Sequence, residues 1–111
     1  MRTTVTSRHF KAHKTLLEYA EREAVRLERF HDGIVKSSII LKFEKNRNSD
    51  KIAEVIVSVY RARLTGVAHS ADFFKSIDAA IKKVTVQLKK HKAKLREKDK
   101  KAVRRVRAKA V

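Results

Sequence analysis

The sequence predicts an α+β domain with the element order β-α-β-β-β-α, in which a four-stranded sheet carries both helices on one face. Two segments repeat apolar residues at helical spacing, whereas four shorter segments are β-branched or alternate between apolar and polar residues. A chain of 111 residues is one domain with a single modest core. Two helical stripes are buried most simply when both helices cover the same face of the sheet.

The first two elements are a short strand and a helix. Residues 3–8 are rich in Thr and Val, which favour a strand. Residues 14–30 form an amphipathic helix, with an outer i,i+4 pair of Glu18 and Arg22 and with Gly33 suited to the stop that follows. Its apolar positions are Leu16, Ala20, Ala24 and Leu27.

Three further strands follow. Residues 34–44 and 52–60 alternate, and the polar stretch 45–50 between them is typical of a hairpin loop. Residues 63–70 form a weaker strand after a tight connection near residues 61 and 62. The positions expected to face the core are Ile39, Leu41, Phe43, Ala53, Val55, Val57 and Val59. Tyr60 lies at a strand end, where stacking on a base is one use of its ring, but we expect it to be half-buried, the commoner case.

The second helix begins after Asp72, a good N-cap, and its apolar stripe extends to the dense lysines. The stripe consists of Phe74, Ile77, Ile81, Val84, Leu88, His91 and Leu95. A platform on which bases stack is one interpretation of Phe73 and Phe74. Because Phe74 is on the apolar stripe, we expect it to pack in the core instead, and Phe73 is the less certain core residue. A helix over residues 73–96 is about 36 Å long, whereas a strand spans about 17–20 Å, so its far end should overhang the sheet. Residues 1–96 are therefore predicted to form the domain, and residues 97–111 a basic tail that is frayed, or helical when bound.

Charge is the clearest functional signal. Residues 82–111 hold fourteen Lys or Arg against Glu97 and Asp99, a net charge of +12 out of +17 for the whole chain. Lysine-rich surfaces bind phosphate backbones by releasing condensed counterions, largely without regard to sequence. We expect polyanion binding, with nucleic acid as the first candidate and an anionic membrane surface as the second.

Composition argues against catalysis. The chain has no cysteine and its five histidines are scattered, so neither a thiolate nor a clustered metal site is predicted. No Ser-His-Asp order, nucleotide fingerprint or phosphate-binding loop is present. The N-terminus lacks the apolar run of a signal peptide, and no segment suggests a membrane span. We expect a cytoplasmic protein that is not an enzyme, needs no cofactor and takes no small-molecule substrate.

A long pattern in the second helix carries a family resemblance. Its residues are Asp72, Phe73, Phe74, Ile77, Asp78, Ile81, Lys83, Val84, Gln87, Leu88, Lys90, His91, Lys92, Lys94 and Leu95. Shorter matching pieces occur at residues 5–7, 16–19, 26–32 and 39–45. Together, in this order over residues 3–95, they resemble the bacterial ribosome hibernation-promoting factor and ribosome-associated inhibitor A family.

The resemblance implies a domain similar to double-stranded RNA-binding domains that binds the small ribosomal subunit between head and body. There it would occupy the channel of messenger RNA and of A- and P-site transfer RNA, and would silence idle ribosomes under starvation or in stationary phase. The implied partners are the 30S subunit with its 16S rRNA and the 70S ribosome. The chain resembles the short form of the family, and we expect it to be monomeric off the ribosome.

The same resemblance implies the rRNA-binding residues. The family's basic positions correspond to Arg26, Lys83, Lys90, Lys92 and Lys94. We add Lys82, Lys89 and Arg96, because their i, i+7, i+14 spacing makes a second cationic stripe.

Four positions depart from the family pattern. Glu23 and Val86 stand where basic residues are usual, which puts two contacts in doubt. His13 replaces the usual Thr cap, so the first helix should start less firmly, and the third hairpin lacks the usual glycine. A general double-stranded RNA-binding protein, with equal affinity for any RNA duplex, is the alternative function. A structural or membrane-surface role of the basic helix is the third, but we expect no membrane partner, because the apolar side of that helix is already packed on the sheet.

Overall fold

The structure, a computed structural model of the protein, has the predicted element order β-α-β-β-β-α. The structure describes residues 2–8, 10–44 and 50–109, and their side chains over residues 3–8, 10–44 and 50–94. Its elements are β1 (Arg2–Arg8), α1 (Lys14–Phe30), β2 (Ile34–Glu44), β3 (Asp50–Val59), β4 (Ala62–Ser70) and α2 (Phe73–Lys109). Most of the predicted hairpin loop before β3 lies outside the described residues. None of the described helices is long and apolar enough to cross a membrane.

The four strands form one sheet in the order β1-β2-β3-β4. β1 runs parallel to β2, with Val5 opposite Ile39, and the other neighbours are antiparallel. A parallel pair requires a crossover, which α1 supplies. A register shift between Ile34 and Lys36 lets Ile34 face the core out of phase with the rest of β2, and Ile34 is buried.

Both helices cover the same face of this sheet, as predicted. α1 packs on β1 and β2, and α2 on β3 and β4. The expected core positions of α1 and of the central strands lie in one cluster, completed by α2, except that Phe43 and Val59 are only partly buried against it. Its fully buried members are Ala20, Ala24, Ile39, Leu41, Ala53, Val55, Val57, Ile77, Ala80 and Val84. The predicted α+β fold is confirmed.

A buried carboxylate fastens α1 to the strands below it. Glu28 Oε1 accepts hydrogen bonds from Ser37 Oγ of β2 at 2.8 Å and from Thr3 Oγ1 of β1 at 2.9 Å. Because Glu28 and Ser37 are buried, these bonds satisfy groups that would otherwise be desolvated without a partner. The end of α1 is thereby fixed against β1 and β2.

The prediction for the first turn of α2 was wrong about which phenylalanine is buried. Phe73 is 9% exposed and stacks on Phe10 with ring centroids 5.0 Å apart, whereas Phe74 is 39% exposed. Phe74 instead packs edge-on against Tyr19 of α1. The buried stripe also includes small Ser76 and Ala80, which shifts its phase by one residue from the stripe of large apolar side chains.

Three other predictions need correction. α2 extends to Lys109, thirteen residues beyond the predicted end, because no Gly or Pro interrupts the basic segment. Tyr60 is 67% exposed rather than half-buried, since it lies in the turn after β3. Glu18 pairs with Lys14 rather than with Arg22 as expected, and the distance from Glu18 Oε1 to Lys14 Nζ is 3.9 Å.

Candidate nucleic-acid interface

The contacts of α2 with the edge strand β4 set its direction. Ser76 Oγ donates to the carbonyl of Lys51, at the start of β3, at 2.6 Å. Farther along α2, Lys83 Nζ donates to Val67 O at 2.6 Å and Gln87 Nε2 to Thr65 O at 2.8 Å. α2 therefore runs antiparallel to β4, toward the turn between β3 and β4.

One glycine permits this close contact. A Cβ atom on Gly66 would lie 2.6 Å from Ala80 O and 3.0 Å from Val84 Cγ2. The backbone of α2 can therefore approach β4 only because residue 66 has no side chain. The two hydrogen bonds to the outer carbonyls of β4 then cover a sheet edge that would otherwise be open for pairing.

Beyond Leu88, which is 2% exposed, α2 leaves the sheet. From there to Lys109 the helix extends for about 30 Å at 1.5 Å per residue. This is the overhang that the sequence predicts, in a longer form. Where α2 leaves the sheet, the C-terminus of α1, the start of β2 and the β3–β4 turn also meet. We call this part of the molecule the cationic end. Its described basic residues include Arg26, Arg29, Lys36, Arg61, Arg63, Lys89, Lys90, Lys92 and Lys94.

The first flank of α2 faces α1 and contains a groove of about 430 Å³. Arg26 and Lys89, both exposed, line it from opposite helices, together with Phe30, His31 and apolar parts of α2. Burial, followed by the positive charges of Lys92 and Lys89, lowers the pKa of His31 from its usual 6.5. Arg26 and Lys89 in the lining, with Lys92 nearby, outnumber the one carboxylate that lines the groove, that of Glu23, so the groove favours an anion.

Glu23, one of the departures from the family pattern, also lines this groove. Its carboxylate is only partly exposed and partly offsets the positive charge beside Arg26. The other departure, Val86, is 48% exposed on α2. Neither residue can supply the cation that is usual at its position.

The second flank of α2 follows β4, the strand at the outer edge of the sheet. Lys90 and Lys94 are exposed and follow Gln87 at steps of three and four residues, which places them on the side of the helix that faces that edge. Lys83 lies on the same side, but its ammonium group is bonded to Val67 O. It therefore also holds α2 on the sheet, a role that the sequence does not reveal.

The predicted binding residues thus separate into two sets. Arg26, Lys89 and Lys92 lie together on the α1 flank, and Lys83, Lys90 and Lys94 lie on the β4 flank. Lys82 is exposed on α2, and Arg96 lies in the helix with a side chain outside the described part. Sequence reasoning missed Arg29, Arg61 and His31, which come from the end of α1 and from the β3–β4 turn. Only the topology, not a motif, brings them to the same end.

A side-chain hydrogen bond between Tyr19 of α1 and Asp78 of α2, which we call the clasp, joins the two helices at the opposite end of the groove. Tyr19 Oη donates to Asp78 Oδ1 at 2.5 Å. This bond, burial and the charge of Asp78 together raise the pKa of Tyr19 to about 12. The phenol therefore stays protonated at neutral pH and keeps α1 aligned with α2.

The start of each helix differs in how firmly it is capped. Asp72 Oδ1 accepts from the backbone N–H of Phe74 at 2.9 Å, so α2 has the predicted N-cap. His13 makes no side-chain cap hydrogen bond at the start of α1. The β3–β4 turn, which lacks the usual glycine, has Arg61 at φ 63°, the left-handed region.

The chain has relatives among known proteins. A family model described as Sigma 54 modulation protein / S30EA ribosomal protein matches residues 3–96. The ribosome hibernation promoting factor of Escherichia coli K12 is 27% identical over 97 residues, which cover 87% of this chain and 99% of that protein. The Pseudomonas putida KT2440 protein of the same name is 28% identical over 94 residues, 85% of this chain and 89% of that protein. The ribosome hibernation promotion factor of Bacillus subtilis 168 is 24% identical over 98 residues, and this chain spans about half of it, 52%.

Solved structures agree in fold. A ribosomal subunit interface protein from Coxiella burnetii superposes with a TM-score of 0.74 at 27% identity, over 84% of this chain and 99% of that one. The N-terminal domain of Thermus thermophilus Protein Y superposes with a TM-score of 0.68 at 22% identity, over 79% and 94%, a likeness of fold alone. The resemblance predicted from the sequence is confirmed by the family match, and the chain belongs to the Sigma 54 modulation protein / S30EA ribosomal protein family.

Proposed function

We propose that this protein is a ribosome-associated hibernation factor of the bacterial cytoplasm, which binds the 16S rRNA of the 30S subunit and silences idle ribosomes. Bound there, it occupies the channel used by messenger RNA and by A- and P-site transfer RNA. The names of its relatives, ribosome hibernation promoting factors and a ribosomal subunit interface protein, support the ribosome as the partner. Its binding partners are then the free 30S subunit and the 70S ribosome.

The observation that carries the proposal is the gathering of cations from separate elements at one end. Arg26 from α1, Arg61 from a turn, and Lys89, Lys90 and Lys92 from α2 meet where the sheet stops. A surface of this kind neutralises several phosphates at once and releases their counterions. It requires no base-specific contact, because phosphate contacts position a protein on RNA whatever the sequence.

The shape of the molecule supports a cleft rather than a free duplex as the target. α2 is a single rod of 37 residues, about 55 Å long, and the sheet supports only its first half. A rigid body with a projecting cationic rod fits between RNA walls, where phosphates lie on more than one side. RNA is recognised largely through such shape and backbone contacts.

The test is binding of purified 30S subunits by two charge-matched variants. The first variant replaces Lys89, Lys90 and Lys94 with Gln at the cationic end. The second, a control, replaces Lys11, Lys14 and Lys75, which are also exposed but lie at the other end of the helices. Both variants lose three positive charges and keep the core unchanged.

We expect the first variant to bind 30S subunits more weakly and the control to bind almost as the unaltered protein does. The slope of log affinity against log salt should fall by about 2–3 in the first variant, because each lost phosphate contact removes roughly 0.7–0.9. Equal weakening in both variants would mean that net charge, not the cationic end, determines binding. Equal affinity of the unaltered protein for 30S subunits and for any duplex RNA would favour a general duplex-binding protein instead.

A further inference from the structure

Two exposed aromatic rings lie at the cationic end, and the proposed phosphate contacts do not involve them. Phe30 is 71% exposed and Tyr60 is 67% exposed. Phe30 is the last residue of α1, four residues before Ile34, and Ile34 pairs with Val59, the neighbour of Tyr60. Both rings therefore lie at the end of the sheet where α2 departs.

Each of these rings has an arginine beside it. The Arg26 guanidinium lies over the Phe30 ring, 5.9 Å from its centroid, and the Arg61 guanidinium lies 5.2 Å from the centroid of Tyr60. At exposed sites such pairs stabilise the fold only slightly. An aromatic face beside a cation does, however, match a nucleotide, whose base stacks while its phosphate is neutralised.

The backbone of Arg61, the residue after Tyr60, has a conformation that residues other than glycine seldom adopt. Arg61 has φ 63° in a two-residue turn between Val59 and Ala62, which are paired. A glycine would hold this turn without the steric penalty of a Cβ atom. Strained residues are found mostly at functional sites. Here the strained residue is the one whose guanidinium lies beside the exposed Tyr60 ring.

A third aromatic residue provides an internal contrast. Phe74, at the opposite end of the helices, is less exposed at 39% and packs edge-on against Tyr19, with ring centroids 5.0 Å apart. Its surroundings carry both signs of charge, with Asp72 two residues before it, Asp78 four residues after it and the exposed Lys75 next to it. A single exposed aromatic is unremarkable on any protein, but the two that share the cationic end each have an arginine and no aromatic partner among the described ring contacts.

We propose that Phe30 and Tyr60 are stacking platforms, each of which holds one unpaired base of an RNA strand at the cationic end. This rests on the proposed function and deepens it: the contacted RNA is single-stranded at two positions, and binding there tolerates any base. The groove beside Phe30 receives the phosphate that adjoins the stacked base, because its two cations, Arg26 and Lys89, exceed its one carboxylate, that of Glu23. Stacking adds a component of affinity that high salt does not remove, unlike the phosphate contacts.

The test uses short RNA strands that carry the fluorescent base 2-aminopurine, whose emission is quenched when it stacks on an aromatic ring. We expect the full chain to quench the probe in a single strand and to bind a duplex of the same length more weakly. Phe30→Ala and Tyr60→Ala should each weaken single-strand binding by roughly 5- to 150-fold, the range for loss of one stacked base. Each should also reduce the quenching, a readout that loss of charge alone does not produce.

Two kinds of control separate stacking from other effects. Phe30→Leu keeps apolar area without a π-face and should behave as Phe30→Ala does, whereas Phe30→Tyr and Tyr60→Phe should restore binding. Val35→Ala removes another exposed apolar side chain at the same end, 64% exposed, and should have no effect. Since all these side chains are exposed, the thermal unfolding of each variant should match that of the unaltered chain.

The outcomes distinguish this inference from the proposed function. If the unaltered chain binds 30S subunits and the Phe30→Ala, Tyr60→Ala double variant binds them equally well, with unchanged quenching of the probe, then the rings are not stacking platforms. If the double variant loses 30S binding while its binding to single strands is unchanged, the rings contact protein rather than RNA, which also overturns the inference. Failure of the unaltered chain to bind 30S subunits overturns the proposed function, whereas quenching that depends on both rings would still support stacking.

Discussion

Replacing Gly66 with Ala should force α2 away from the sheet. The new Cβ would lie 2.6 Å from Ala80 O, 3.0 Å from Val84 Cγ2 and 3.1 Å from Lys83 Cβ. Ordinary carbon–oxygen contacts between backbones are about 3.3–3.6 Å, so the helix would have to retreat by about 0.7–1.0 Å. The obstacle is a backbone carbonyl inside a helix, which cannot turn away as a flexible side chain would.

The magnitude follows from two opposing effects. Overpacking of this kind costs about 1–3 kcal/mol. The lower entropy of the unfolded Ala chain returns about 0.4–1 kcal/mol. The net loss in the free energy of unfolding is about 1.3 kcal/mol at the middle of these ranges and at most about 2.6 kcal/mol, which for a domain of this size lowers Tm by up to about 10 °C. The retreat would also lengthen the hydrogen bond from Gln87 to Thr65 O.

Thermal unfolding followed by circular dichroism measures this change directly. Val67→Ala is the matched control, because Val67 is the next residue of the same strand, and should change stability by less than about 1 kcal/mol. A Gly66→Ala variant that melts at or above the temperature of the unaltered protein would refute the close packing of α2 on β4. The positions assigned to both flanks of α2 would then also be wrong.

Three further predictions concern titration and the helical extension. Asp78→Asn should return the pKa of Tyr19 from about 12 toward its ordinary 10.0, seen in the ultraviolet absorbance of tyrosinate. Because the folded pKa is the higher one, the clasp stabilises fully below pH 10 and is lost as pH rises through about 12; a Tyr19 pKa unchanged by the substitution would exclude the clasp. Lys92→Met should raise the pKa of His31 in an NMR titration, since the Lys92 charge helps to lower it, and a fall would contradict the groove geometry. As the folded pKa of His31 lies below 6.5, its share of stability falls as pH drops below 6.5 toward that value. Truncation after Leu95 should preserve a cooperative thermal transition but weaken RNA binding and flatten its salt dependence, because it removes eight Lys or Arg; loss of the transition would show that the domain extends farther.

The strands and α1 were predictable because their patterns allow one phase only. Ile39, Leu41 and Phe43 occupy alternate positions of β2, and a shift by one position would bury Lys42. Leu16, Ala20, Ala24 and Leu27 similarly leave one buried side for α1, and all four are buried. Local patterns sufficed where burial was the only demand on the segment.

The start of α2 was not predictable in this way. A stripe through Phe74 and Ile81 and one through Phe73 and Ala80 both step by three or four residues. The choice depends on α1, which gives Phe74 a half-covered place beside Tyr19. Pattern counting favours the larger residues, and the small Ala80 is buried because α2 passes so close to Gly66.

The composition of the candidate site was predictable and its arrangement was not. Dense lysines in one segment identify a cationic helix from the sequence alone. Their separation into an α1 flank and a β4 flank depends on how α2 lies on the edge strand, which the hydrogen bond from Lys83 to Val67 O helps to fix. Arg61 and Tyr60 join the same end only because a tight turn folds back there.

Sedimentation with separated ribosomal subunits is the most direct test of the central claim, that the cationic end binds the decoding channel of the small subunit. The purified chain should sediment stoichiometrically with 30S subunits and 70S ribosomes but not with 50S subunits, and less at high salt. Transfer RNA that fills the A and P sites should release it. Equal, non-saturating binding to both subunits, unaffected by transfer RNA, would contradict the account and reduce the family likeness to one of fold.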